Sequence, residues 1–159
     1  MAFYTTLAEV HKNRTLKPRY ARTQATPQAV ELAASVTADV FPGMVLASKG
    51  DGTVVPCDAT MIPAGLCGTW TKELEPTNAR CIAMWVPGSD AILEIHSPAF
   101  LTTADWATAK TNLASGKEVL LCSDANGYLC IAGSDDTARA KFRLVGVEGS
   151  DVILVAGLL

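Results

Sequence analysis

The chain has 159 residues, of which 49% are hydrophobic and 18% are charged, and its formal net charge is −3. This length suits a single domain with an ordinary core, and no apolar run approaches the ~18 residues that a transmembrane helix requires. The charged share is below the roughly 25% usual for soluble domains, so we expect apolar surface that neighbouring subunits cover. A well-packed monomer is the alternative.

The charge is unevenly distributed along the chain. Residues 1–30 hold five bases against one acid, a net charge of +4, while the remainder carries −7. Segments of opposite sign attract each other, or the equivalent surface of a neighbouring copy. The first residues mix polar and apolar side chains and do not resemble a secretory signal, so we expect the chain to fold in a cytoplasm.

The first 28 residues predict an extended N-terminal arm, with at most a weak helical turn around residues 6–12. Apolar periodicity is weak there, and Pro18 and Pro27 favour extended backbone. We predict that the arm docks on an acidic neighbouring surface through its bases and buries its large apolar side chains. The predicted partner-binding residues are Phe3, Tyr4, Leu7, Lys12, Arg14, Lys17, Arg19, Tyr20 and Arg22.

From residue 29 to residue 159 the sequence predicts a β-rich body, because short apolar runs alternate with turn residues. One alanine-rich segment, residues 104–113, predicts a short helix. Hairpin turns are indicated at residues 48–52, 87–90, 124–127 and 148–151. Strands are predicted at residues 30–36, 44–47, 53–56, 65–70, 81–86, 91–96, 118–122, 128–132, 141–147 and 152–155. The fold class is therefore mainly β, an antiparallel sandwich or barrel with one short helix.

The sequence contains no constellation that predicts catalysis. The two histidines are His11, in the arm, and His96, at a strand end, and neither lies in a recognisable triad motif. The glycines around Asp51 fit a hairpin turn better than a phosphate loop, and Asp135 with Asp136 supplies too few oxygens for calcium. We predict no enzyme activity, no cofactor and no metal site.

The five cysteines form no C-x-x-C pair and are odd in number, so neither a zinc site nor a full disulfide framework follows. Most lie in or beside apolar runs and are expected to be reduced and buried. The bases of the arm are spread out and the body is acidic, so we predict no nucleic-acid partner and no membrane partner.

Three passages of the body resemble a known family. They are residues 41–46 (FPGMVL) with residues 51–56 (DGTVVP), residues 62–68 (IPAGLCG), and residues 142–147 (FRLVGV) before an apolar C-terminus. These phrases are similar to those of tailed-phage capsid decoration, or cement, proteins with a β-tulip-like body. The region between residues 71 and 139 carries no matching motif.

The resemblance implies a structural virion protein, synthesised in the host cytoplasm, that binds the outer capsid surface and cements neighbouring major capsid protein subunits. The low charge and the 24 alanines of the chain also predict a homo-oligomer, with a trimer favoured over a dimer. Two alternatives stay open: another non-enzymatic virion component, such as a head fibre base or tail part, and a small-ligand-binding β barrel or an enzyme of unrecognised type.

Overall fold

The computed structural model describes residues 15–21, 26–71, 80–87, 91–96, 103–149 and 152–158. Within these segments the chain forms eleven strands and one α-helix, α1, which covers Thr103–Ala114. A 3-10 turn lies at Ser134–Asp136. The strands are β1 (Thr15–Ala21), β2 (Gln28–Leu32), β3 (Val45–Ser48), β4 (Thr53–Pro56), β5 (Pro63–Cys67), β6 (Cys81–Trp85), β7 (Ala91–His96), β8 (Leu120–Ser123), β9 (Leu129–Ile131), β10 (Phe142–Glu148) and β11 (Val152–Gly157).

Six of the strands form one sheet in the order β1-β7-β11-β10-β8-β9, and every pairing in it is antiparallel. Its inward face follows the period of two expected of a half-buried strand, as in β7, where Leu93 and Ile95 are buried in the core. β1 and β9 are its two edge strands. A bulge interrupts β1 after Pro18, at a sheet edge where a proline costs no interstrand hydrogen bond on its free side.

The other five strands close into a small barrel in the order β2-β4-β3-β5-β6. β2 completes the closure by pairing antiparallel with β6 and parallel with β4. The barrel is tight at Gly65, where an added Cβ would lie 2.5 Å from Met84 Cγ and 2.6 Å from the Trp85 carbonyl oxygen. Only glycine fits between these strands without displacing backbone.

Two hydrophobic clusters fill the described part of the molecule. The barrel interior is packed with large side chains, among them Phe41, Leu46 and Tyr128, and Phe41 stacks on Tyr128 with ring centroids 5.7 Å apart. The second cluster lies between the barrel and the six-stranded sheet, and Trp106 of α1 contributes to it. The barrel and the sheet therefore pack on each other as a single body.

The predicted fold class is confirmed: the protein is mainly β, with sheets that form a sandwich and a barrel and with one helix among the described residues. The predicted strands at residues 53–56 and 91–96 have the observed bounds, and the helix begins and ends within one residue of the prediction. The glycines of two predicted turns, Gly50 and Gly127, adopt the positive φ those turns require.

Residues 15–21 of the predicted arm form β1 and pair with β7 of the same chain, while the boundary of the arm at residue 28 stays a prediction. Two other expectations need correction. The β2–β4 pairing is parallel, whereas hairpins alone predicted antiparallel neighbours. Finally, Cys81 is exposed rather than buried.

Candidate functional site

A group of charged side chains joins β1 to the rest of the sheet. The Arg19 guanidinium donates hydrogen bonds to Glu94 of β7 and to Glu148 of β10, one of them 2.7 Å long from Nη2 to Glu148 Oε2. Lys17 Nζ lies 3.3 Å from Glu94 Oε2, and His96 Nε2 lies 3.4 Å from Glu94 Oε1. We call these five residues the β1 ion cluster.

Glu94 is the central residue of the β1 ion cluster, because it is only 6% exposed on a strand whose other residues, apart from His96, are apolar. Burial raises the pKa of Glu94, but the hydrogen bonds from Arg19 and Lys17 outweigh it and hold the pKa below its usual value. The hydrogen bond from Arg19 likewise lowers the pKa of Glu148. Both carboxylates are therefore ionised at neutral pH and bind β1 to the sheet.

The structure places two of the predicted partner-binding bases on the acidic surface of their own chain. Lys17 contacts Glu94, and Arg19 contacts Glu94 and Glu148, all within the chain; a further contact of these two bases with a partner stays a prediction. Tyr20 belongs to β1, and its side chain lies outside the described residues. The other predicted residues of the arm, and His11, also lie outside the described residues: Phe3, Tyr4, Leu7, Lys12, Arg14 and Arg22. Their role in partner binding stays a prediction.

Arg139 joins three separate segments beneath the loop between β4 and β5. Its Nε donates to the Met61 carbonyl at 3.0 Å, and its Nη2 donates to the carbonyls of Asp58 at 2.8 Å and Ser123 at 2.6 Å. Its Nη1 pairs with Asp136 Oδ1 at 2.8 Å. A guanidinium can satisfy this many acceptors because its donors form a rigid planar fork.

The loop above Arg139 presents two large apolar side chains to solvent. Met61 is 37% exposed and Ile62 is 57% exposed, and we call this pair the apolar tip. Asp58 Oδ1 accepts hydrogen bonds from the backbone nitrogens of Thr60 at 2.7 Å and Met61 at 2.9 Å. The tip is thus exposed but held in a fixed conformation, so a partner would bind it at little entropic cost.

The described residues offer little for catalysis or ligand binding. No group of three or more metal-ligating side chains lies among them. Asp136 accepts a hydrogen bond from Gly133 N and pairs with Arg139, which makes it part of a local turn. A groove of about 320 Å³ beside the barrel has Asp39 and Arg80 among its lining residues, and Arg80 already donates to the Ala33 carbonyl at 2.7 Å.

None of the helices among the described residues is long and apolar enough to cross a membrane. Sequence reasoning did not identify Glu94, Arg139 or the apolar tip. An acid within the apolar run AILEIH was a usable signal for Glu94, because a buried carboxylate requires a cationic partner. Nothing near Arg139 in the sequence marks it, since its partners lie up to 81 residues away.

Comparison with known proteins identifies a family. The family model described as phage cement protein matches residues 2–157, which is nearly the whole chain. The match extends through residues 71–139, where the sequence carried no recognisable motif of the family. No curated protein and no solved structure matches the chain.

Proposed function

Since this chain belongs to the phage cement protein family, whose members are structural parts of the capsid, we propose that it binds the outer capsid surface and cements neighbouring major capsid protein subunits. The family match over residues 2–157 carries this proposal. In this function the chain works by burying surface and performs no catalysis, and it needs neither a cofactor nor a metal.

The apolar tip supports a defined place of contact. Met61 and Ile62 are two of the three exposed large hydrophobic residues in the described part of the chain, and they are adjacent. Apolar anchors that are ordered before binding typically carry much of an interface's free energy. We therefore assign the tip to the capsid contact, with each side chain contributing on the order of 1.5–3 kcal/mol if fully covered.

The N-terminal arm is the second proposed contact. The β1 ion cluster fixes Lys17 and Arg19 to the sheet, so residues 1–14 are tethered to the body at Thr15. Three predicted partner-binding bases, Lys12, Arg14 and Arg22, lie outside the described residues and are proposed to bind an acidic neighbour. Phe3, Tyr4 and Leu7 are proposed to add apolar area to the same contact.

We also infer a homo-oligomer, with a trimer favoured over a dimer. The low charge and high alanine content of the chain support covered surface between copies. Sedimentation at micromolar concentration tests this inference, and a monomer both in solution and on the capsid would contradict it.

A binding experiment with heads assembled from the major capsid protein alone tests the proposed function. The wild-type chain should co-sediment with the heads and raise their resistance to heat. Met61→Ser combined with Ile62→Ser should weaken co-sedimentation at least tenfold, as expected when two buried apolar anchors are lost. Val145→Ser is the matched control, because Val145 is also a large exposed hydrophobic residue, on β10.

Two outcomes would contradict the proposal at different levels. Failure of the wild-type chain to co-sediment would contradict capsid binding itself. Unchanged binding by the double tip variant, with normal binding by Val145→Ser, would leave capsid binding intact and show that the tip is not the contact.

A further inference from the structure

Two cysteines face each other across the β8–β9 hairpin. Cys122 and Cys130 are direct cross-strand partners, and their Sγ atoms are 3.6 Å apart. Directly opposed residues of an antiparallel pair have Cα atoms about 4.5–5.5 Å apart, within the range that a disulfide spans. A disulfide needs its sulfurs about 2 Å apart, so closure takes a movement of roughly 1.5 Å.

A cation stands beside one of the two thiols. Arg139 Nη1 lies 3.9 Å from Cys122 Sγ, and the Arg139 side chain is only 12% exposed because its other donors bind the surrounding carbonyls and Asp136. A fixed positive charge stabilises a thiolate over a thiol. Cys122 is buried, whereas Cys130 is half-buried, so solvent has access to the pair from the Cys130 side.

We propose that Cys122 and Cys130 are a peroxide-sensitive dithiol, in which Cys122 is the attacking thiolate and Cys130 closes a cross-strand disulfide. This is a property of the single chain and does not depend on capsid binding. The three remaining cysteines have no thiol opposite them in the described part of the chain, so the pair is chemically distinct from them.

The pKa shifts of the two thiols agree with these roles. The hydrogen bond with Cys130 lowers the pKa of Cys122, burial opposes that shift, and Arg139 lowers the pKa further. The same hydrogen bond raises the pKa of Cys130, and the guanidinium beside Cys122 favours the thiolate on that residue. In contrast, burial raises the pKa of Cys67 to about 12, which keeps that thiol protonated and unreactive.

The reaction proceeds in two balanced steps. The Cys122 thiolate attacks one oxygen of hydrogen peroxide, the O–O bond breaks, and the released hydroxide takes a proton to leave as water, which gives a sulfenic acid on Cys122. Cys130 then loses its proton and attacks the Cys122 sulfur, the S–O bond breaks, and a second water leaves. The net change is two thiols and one peroxide to one disulfide and two waters.

The product would hold an edge of the six-stranded sheet covalently. β9 has only three residues and pairs with β8 alone, so few interstrand hydrogen bonds hold it in the reduced protein. The cross-link joins β9 to β8 at the centre of their pairing, Cys122 opposite Cys130. We therefore expect oxidation to slow the opening of this hairpin.

Peptide mapping of the intact protein tests the proposal without any substitution. Trypsin releases both cysteines in one peptide, residues 118–139, because no lysine or arginine lies between Lys117 and Arg139. After limited peroxide treatment, denaturation and alkylation, this peptide should be lighter by two hydrogens and carry no alkyl group. Cys57 and Cys67 should alkylate fully and serve as buried controls within the same sample.

Two variants assign the roles of the pair. In Cys130→Ser, a sulfenic acid should accumulate on Cys122 and be trapped by dimedone, whereas in Cys122→Ser little should form on Cys130. Both variants carry Cys81→Ser, which removes an exposed thiol that could cross-link two chains. Arg139→Gln should slow sulfenic acid formation at Cys122 several-fold.

Two results would overturn the proposal. One is a peptide 118–139 that alkylates at both cysteines under peroxide conditions that oxidise Cys81 in the wild-type chain. The other is a sulfenic acid that forms on Cys130 in Cys122→Ser as readily as on Cys122 in Cys130→Ser.

Discussion

At the scale of single residues, Arg139 is a connection that no local sequence pattern marks. It donates to two backbone carbonyls of the β4–β5 loop and to the Ser123 carbonyl, and it pairs with Asp136. Arg139→Gln should lower the free energy of unfolding by about 2–4 kcal/mol, because the part-buried carbonyls of Asp58 and Ser123 lose their charged donor. Urea denaturation measures this change.

Arg143→Gln is the matched control, since Arg143 is exposed on β10. It should change stability by no more than about 0.5 kcal/mol. Equal effects of the two substitutions would mean that the Arg139 contacts contribute nothing beyond a surface charge.

Glu94 makes stability depend on acidity. The pKa of Glu94 in the folded chain lies below the usual 4.5. The stability that its ion pairs contribute is therefore complete above pH 4.5 and is lost as the pH falls through the lower pKa of the folded chain. Urea midpoints of the wild-type chain should therefore drop when pH is lowered from neutral to below the usual glutamate pKa.

Glu94→Gln isolates this contribution from that of the other acids. The variant should be less stable at neutral pH, because Arg19 and Lys17 lose their ionised partner. Its free energy of unfolding should then fall less on acidification than that of the wild-type chain. The same loss in both proteins would exclude Glu94 as a source of the acid sensitivity.

At the scale of elements, most strands were predictable and β1 was not. Runs such as residues 53–56 and 91–96 are bounded by strong turn residues, which fixes their ends locally. β1 contains Pro18, a bulge and two bases, features that argue against a strand when read alone. Its stability comes from β7 and from Glu94, which lies more than 70 residues along the chain, so only the folded structure reveals it.

The structure predicts different effects for two truncations within the N-terminal arm. Deleting residues 1–14 should leave the body folded, because β1 and its ion pairs remain. Deleting residues 1–25 should destabilise the body strongly, because the deletion exposes the edge of β7 and leaves Glu94 without Arg19 and Lys17. Circular dichroism during thermal unfolding measures both effects, and equal melting temperatures would contradict the role of β1.

The barrel depends on one close approach between strands. Gly65→Ala places a Cβ 2.6 Å from the Trp85 carbonyl oxygen, so β5 and β6 must separate, with an expected cost of about 1–3 kcal/mol or more. Gly133→Ala is the matched control, because its Cβ would meet Asp136 Oδ2 at an ordinary 3.5 Å and its φ is −82°. If urea denaturation finds the two variants equally stable, the barrel tolerates expansion at Gly65.

At the scale of the whole molecule, the sequence predicted the class of fold and its family but not which surface is left for a partner. The uneven charge along the chain was visible from composition. Part of this charge is neutralised within the chain by the ion pairs of Lys17 and Arg19. These ion pairs depend on the pairing of β1 with β7 and on the approach of Glu148. The apolar tip was hidden for a similar reason, because exposure of Met61 and Ile62 follows from the position of their loop above Arg139.

This division of charge predicts how salt acts on capsid binding. The proposed attraction between the bases of the arm and an acidic surface acts over distances near the Debye length, about 8 Å at physiological ionic strength, so added salt should slow association. Apolar contacts made by Met61 and Ile62 are not screened, so salt should release a formed complex much less than it slows its formation. Stopped-flow binding to heads, followed by dissociation after dilution at the same salt concentrations, measures the two rates separately. In the chain that lacks residues 1–14, which removes Lys12 and Arg14 but retains Lys17, Arg19 and Arg22, association should lose part of its salt dependence. If association by this truncated chain kept the full salt dependence of the wild-type chain, Lys12 and Arg14 would have no part in the attraction.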